Sequence, residues 1–260
     1  SLARWQQLLK ENEDIVKLAL SIDDINTAKK QGKLSVIFEL QTSSHVAQGM
    51  NDLDYKLQTE FPALSILYEL GVRNIQMAYF VRNNFGDGCR ERNPAGLSIM
   101  GQQLVEQMNQ KGMIIDLSHC SIPTTMDTIE HSKDPVLFTH CEPYKLSQHP
   151  RNKTDEEMKA MAEKGGVIGI TAYSGFYMPQ TKKQPEFNTF MEHLEYAIDL
   201  IGIDHVGIGT DYMECYWNAE EFDRNALGAK AVNPINFDEK YVKGLEDYEC
   251  FPRIVEELLN

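Results

Sequence analysis

Two short apolar runs, each ending in a histidine, limit what this chain can fold into more than any other feature. The first, Gly112-Met113-Ile114-Ile115-Asp116-Leu117-Ser118, delivers His119, and the second, Pro135-Val136-Leu137-Phe138-Thr139, delivers His140. Between them, residues 122–132 have helical spacing and polar outer positions. This predicts strand, helix, strand, with a histidine at the C-terminal tip of each strand. A β-α-β unit of this length has parallel strands, so both tips face the same end of the sheet. In α/β folds that end is where ligands bind and chemistry happens. Two imidazoles brought together there make a metal pair. The alternative for each is a hydrogen-bonded strand terminus, which two equivalent tips in consecutive units disfavour.

The alternation extends along the chain. Residues 2–20 approximate one helical face through Leu2, Trp5, Leu8, Leu9, Ile15, Val16, Leu18 and Ala19. Ser21, with Asp24 three positions on, is an N-cap for a second helix to about Gln31, where Gly32 stops it. Strands are expected at 34–40, at 72–79, at the two histidine runs, at 167–171 and at 205–209. Helices are expected at 53–70, at 98–111 with Gly112 as its stop, from Thr154 to Gly165, and at 187–201. Residues 80–95 form a long polar loop of the kind that is often functional.

Six strands, each separated from the next by a helix, predict a parallel sheet with helices outside. The tips carry Gln41, Tyr79, His119, His140, Thr171 and Asp211 in turn. Functional side chains at nearly every tip favour a barrel over an open sheet, which concentrates its site at one crevice. A closed barrel of this kind needs eight strands, so either two units lie outside this chain or the sheet is open. Because six strands cannot close such a barrel, the strands at 34–40 and 205–209 are expected to be edges in this chain. Residues 1–260 are read as one partial β/α-barrel domain, with 212–260 an irregular segment plus a short helix.

The net charge of −14 repels phosphate backbones and argues against nucleic acid as a partner. No apolar run reaches the roughly 18 residues of a membrane span. Residues 1–20 read as an amphipathic helix rather than a signal peptide. Five cysteines, an odd and scattered set without CxxC, point to a reducing compartment, taken as cytoplasmic.

Several segments together resemble one known family. They are Gly71-Val72-Arg73, Gly96-Leu97-Ser98, Met108-Asn109, the run from Gly112 to His119, Ser132-Lys133, Pro135, His140, His149-Pro150-Arg151-Asn152, Gly165-Gly166-Val167-Ile168-Gly169, and Asp204 to Asp211. In this order they resemble the membrane (renal) dipeptidase family of metallopeptidases, especially its bacterial members, over roughly residues 1–212. The resemblance implies a TIM-type (β/α)8 barrel of the metallo-dependent hydrolase kind, incomplete here with about six of eight strands. It implies a two-zinc site that hydrolyses the peptide bond of dipeptides with metal-activated water. Carried over by motif, His119 and His140 match metal ligands, and Arg151 matches the arginine that holds the substrate carboxylate. Asp211 matches the acid that handles the proton, and Tyr79 stands where some members have a substrate-contacting histidine.

Two departures accompany the resemblance. No His-x-Asp precedes Leu34, where the family's first metal is held, so the first two strands of the barrel are expected to be absent. The carboxylate that bridges the metals falls at Gln41, a neutral amide, with Glu39 two residues back on the same face. Zinc is therefore expected to bind weakly, at one position at most. A dipeptide substrate and a homodimer are the partners expected. Three readings stay open: a zinc-dependent dipeptidase, a degenerate barrel that binds small peptides without hydrolysing them, and an amidohydrolase acting on another C–N bond. Asp211 could instead cap the following segment, and Arg151 could be a surface ion pair. Cys120 and Cys141 are expected as buried packing, His149 as structural, and His131, His193 and His205 as surface or core residues.

Overall fold

The computed structural model describes residues 2–47, 61–177, 183–212 and 240–259. The chain divides into two compact units, Ser1–Val136 and Leu137–Asn260.

The first unit opens with α1 (Leu2–Glu11). The Asn12 side chain donates to the Leu8 carbonyl at 2.8 Å, and Ile15 N donates to Asn12 O, so the chain turns. It leaves as β1 (Val16–Leu18), which pairs in parallel with β2 (Leu34–Val36). The single helix expected over residues 2–20 is thus replaced by a ten-residue helix and a strand. Ile15 and Val16 are β-branched and suit an extended chain, and cross-strand pairing outweighs a helical period that is only approximate.

Ser21 caps α2 (Ile22–Lys30) as expected, its Oγ accepting from Asp24 N at 3.2 Å. The strand expected at 34–40 breaks at Ile37 into β2 and β3 (Phe38–Leu40). Because β2 pairs with β1, and β3 with β4 (Val72–Gln76), the 34–36 half is not an unpaired edge. β4 pairs in parallel with β5 (Ile114–Asp116).

α3 (Pro62–Glu69) is the described end of the helix expected from residue 53, whose beginning lies outside the described residues. α4 (Ile99–Lys111) is capped by Ser98 and ends at Gly112, whose φ of 64° is left-handed and costs a glycine little. α5 (Ile122–His131) starts on Ser121. Leu64, Val72, Ile75, Leu104, Met108, Ile115 and Leu117 are buried between strands and helices. Full burial of such a side chain contributes about 1.5–3 kcal/mol.

In the second unit, β6 (Val136–Cys141), β7 (Val167–Ile170) and β8 (Val206–Ile208) run parallel in that order. α6 (Asp155–Glu163) opens with a full capping box between Thr154 and Glu157. α7 (Phe187–Ile201) buries Phe187, Phe190, Met191, Leu194 and Ala197. Residues 213–239, which hold Cys215 and most of the segment expected to be irregular, lie outside the described residues. The chain is described again from Lys240, and α8 (Phe251–Leu259) is the short final helix expected. No helix among the described residues is long and apolar enough to cross a membrane.

Candidate functional site

In the first unit the candidates gather where β3, β4 and β5 end. Gln41 directly follows β3, and its carbonyl accepts from Gln76 Nε2 at 2.7 Å. β4 stops at Gln76, short of the expected residue 79, and the chain carries Tyr79 over His119. The two rings stack with centroids 4.1 Å apart, and Phe80 meets the same imidazole edge-on at 4.6 Å. His119 is buried and stands three residues past β5.

The long loop is what holds this aromatic cluster. Cys89 N donates to His119 O at 2.8 Å, and Gly88 forms an antiparallel bridge with Cys120. A Cβ on Gly88 would run into the backbone of Tyr79 and Phe80, so only glycine fits there. Asn83 donates to Met77 O at 2.9 Å and accepts from Phe85 N at 2.8 Å. Asp87 pairs with Arg82 and accepts from Ala95 N. Burial pushes the Asp87 carboxyl up, but Arg82 and the backbone donors outweigh it and hold it below its ordinary value.

In the second unit His140 is the penultimate residue of β6 and is buried. Burial, with the Arg151 guanidinium second, holds its imidazole well below the ordinary range, so it is neutral at pH 7. Nδ1 lies 2.8 Å from Thr139 Oγ1. If the hydroxyl accepts from Nδ1–H, Nε2 keeps the lone pair that a metal would use.

Arg151 is not a surface ion pair. It is 1% exposed, with Nη2 donating to His140 O at 2.7 Å and Nη1 to Cys141 Sγ at 2.9 Å. It fastens the tip of β6 with two of the five donors a guanidinium carries. Asp211 follows β8 by three residues, and at φ 57° it is the sole non-glycine residue with positive φ among the described residues. Aspartate tolerates that region better than most residues. Cys120 and Cys141 are buried, as expected of packing cysteines.

Sequence reasoning missed one buried constellation. Glu142 lies just past β6 and is fully buried. It accepts from Thr171 N at 2.9 Å and pairs with His193 Nδ1 at 2.5 Å. Burial pushes its carboxyl up, opposed by His193. It ties the ends of β6 and β7 to α7. Its only signal was adjacency to His140-Cys141; a partner 51 residues away has no spacing rule. Lys153 and Glu157 form a second buried pair at 3.1 Å.

A catalytic zinc is normally held by three protein ligands and a water. Among the described residues, no three His, Cys, Asp or Glu side chains gather as a metal site. Each unit taken alone supplies one strand-tip imidazole. The first adds a neutral amide at Gln41, and the second sets a guanidinium beside His140. The described donors of either unit therefore do not fit a complete catalytic zinc centre.

Comparison with known proteins bears on the whole. A protein of Klebsiella pneumoniae described as an uncharacterized protein in the pqqA 5′ region is 29% identical over 219 residues, covering 81% of this chain and 77% of that protein. Dipeptidase verJ of Clonostachys rogersoniana is 33% identical over 196 residues, covering 75% of this chain and 44% of its own length. Dipeptidase aclJ of Aspergillus oryzae is 31% identical over 199 residues, and this chain covers 42% of it. The chain thus spans less than half the length of these two fungal relatives.

Among solved structures, an amidohydrolase from Pseudomonas aeruginosa superposes with a TM-score of 0.82 at 32% identity, over 99% of this chain and 75% of that one. A metallo peptidase from Rhodobacter sphaeroides, liganded with a phosphinate mimic of L-Ala-D-Ala, superposes at 0.77 over 99% of this chain and 66% of that one. Its 19% identity bears on the fold alone. The fold class expected from sequence stands: α/β, of the TIM-type barrel kind, with parallel strands and helices consistent with part of such a barrel. The model of the membrane dipeptidase family, peptidase family M19, matches residues 1–223, most of the chain and all the strand tips just described, and the chain belongs to that family.

Proposed function

We propose that this chain carries the activity of a metal-dependent dipeptidase, with zinc as the metal and a dipeptide as substrate. The observation that supports this most is the family match over residues 1–223, which takes in both strand-tip histidines. A metal cofactor comes with membership in a metallopeptidase family. Within the proposal His119 and His140 are metal ligands, Asp211 moves the proton, Arg151 orients the substrate carboxylate, and Tyr79 lines the substrate side of His119. Neutral His140 supports its role, because only the unprotonated imidazole offers a lone pair. The odd and scattered set of five cysteines, without CxxC, supports a reducing compartment such as the cytoplasm.

A second reading is a barrel of this family that binds small peptides without cleaving them. Gln41 at the position of the bridging carboxylate favours it, as does the lack of a three-donor group among the described residues.

The test combines a dipeptide panel, metal content by elemental analysis and zinc calorimetry. The proposal expects metal-dependent hydrolysis of at least one dipeptide, lowered by Asp211→Asn by about 10²- to 10⁴-fold. It expects weak zinc binding that His140→Ala abolishes and Gln41→Glu strengthens. Dipeptide binding without turnover across the panel would favour the second reading. Zinc affinity indifferent to His140→Ala would remove that histidine from the site.

A further inference from the structure

The first unit carries a buried face of oxygen acceptors that the proposed reaction does not use. Side chains alternate along a strand, so Asn74 and Gln76 of β4 share one face. The parallel register sets Glu39 of β3 beside Asn74, and Asp116 of β5 beside Gln76. Paired neighbours point to the same side of a sheet, so this face gathers two carboxyl groups and two amides. Asn74 is 4% exposed, and Gln76 and Asp116 are fully buried.

The Gln76 amide has a definite orientation. Its Nε2 donates to Gln41 O at 2.7 Å and to Ala78 O at 3.1 Å. Turning the amide round would set its oxygen against two carbonyl oxygens. Oε1 is therefore the acceptor, and it is buried without a hydrogen-bond partner, as is Asn74 Oδ1. A buried unsatisfied polar group costs about 1–3 kcal/mol. Two such amide oxygens on one face call for a ligand. Beside them, Asp116 Oδ1 already accepts from Ser118 N at 3.1 Å and Ser118 Oγ at 2.7 Å, and the carboxyl groups of Asp116 and Glu39 bias that ligand toward positive charge.

We propose that this face binds a hard divalent cation, Ca²⁺ or Mg²⁺. Asn74 Oδ1 and Gln76 Oε1 are its neutral ligands, and Glu39 and Asp116 supply negative charge directly or through water. An all-oxygen set of carboxyl and amide groups is the ligand chemistry of these ions rather than of zinc.

The test uses the full chain stripped with chelator and titrated with CaCl₂ and MgCl₂ by calorimetry, with thermal unfolding alongside. One ion per chain is expected, together with a rise in Tm. Loss of outer-shell groups alone costs about 10- to 100-fold in metal affinity, so Gln76→Met should weaken binding by at least about tenfold. Asn74→Asp, which adds a charge on the same face, should tighten it and guards against a Gln76 variant that fails to fold. His119→Ala and His140→Ala should bind the ion as wild type does, which separates this site from the zinc ligands. Absence of heat and of a Tm shift would mean that ordered water satisfies the amides and would overturn the proposal. So would binding unchanged in both Gln76→Met and Asn74→Asp. Neither result depends on whether the chain hydrolyses dipeptides.

Discussion

Removing Lys153 should cost far more than the pair it belongs to contributes. Lys153 Nζ and Glu157 Oε1 lie 3.1 Å apart, and both side chains are 1% exposed. Nζ also stands 4.8 Å from the Phe138 ring centroid, and Glu157 Oε2 accepts from Thr154 N at 2.9 Å. At an effective dielectric of about 20, the attraction at this distance is about 5 kcal/mol. Taking each charge out of water costs several kcal/mol, so the intact pair is close to neutral in stability.

Lys153→Met leaves the Glu157 carboxylate buried without its countercharge, and the expected loss is about 3–5 kcal/mol. The double variant Lys153→Met/Glu157→Gln removes the stranded charge and keeps an oxygen for the cap. It should return to within about 1–2 kcal/mol of wild type. Urea unfolding followed by both fluorescence and circular dichroism measures this, provided the two transitions coincide and m is unchanged. A Lys153→Met protein within about 1 kcal/mol of wild type would refute the reasoning, and so would a double variant as unstable as the single one. The backbone gives the effect a functional reach. Lys153 N donates to Glu142 O, and Lys153 O accepts from Tyr144 N, both at 2.8 Å, which closes the loop that carries Arg151.

Two further predictions concern Asp211 and Asp24. Asp211→Gly relieves a left-handed backbone position worth about 1–2 kcal/mol, so calorimetry should find Tm unchanged or raised while dipeptide hydrolysis is lost. A lower Tm would mean that the Asp211 side chain stabilises the fold more than its backbone strains it. Lys17 first, then Ser21 and the Leu20 backbone N–H, lower the Asp24 carboxyl to about 2. Its folded value lies below the unfolded value of about 3.9, so the stabilisation is present above about pH 4 and is lost as pH falls through about 2. Because the Asp24 side chain is 27% exposed, screening limits the contribution to about 1 kcal/mol. Asp24→Asn should therefore be less stable than wild type at pH 7 and equal to it near pH 2 in urea titrations; the same gap at both would contradict this.

Much of the local structure was legible in the sequence, because the rules that fix it act over a few residues. Ser21, Ser98 and Thr154 start helices where a short side chain can accept from an N–H three positions on. Gly112 ends α4 because a left-handed φ suits it. The placement of His140 at the end of β6, and of His119 three residues past β5, followed from apolar runs that stop near a polar residue, and the family followed from motifs in a set order.

What sequence could not settle was decided by partners far along the chain. Val16–Leu18 reads as the end of a helix until residues 34–36 lie beside it, and the break at Ile37 exists because its two sides pair with different strands. The stacking of Tyr79 on His119 depends on a loop that Asn83 and Asp87 tie down, and the pairing of Glu142 with His193 on two elements packed together. Capping and periodicity are written in consecutive residues. Strand partners and buried ion pairs are chosen by packing, and only the folded chain brings those residues within reach of one another.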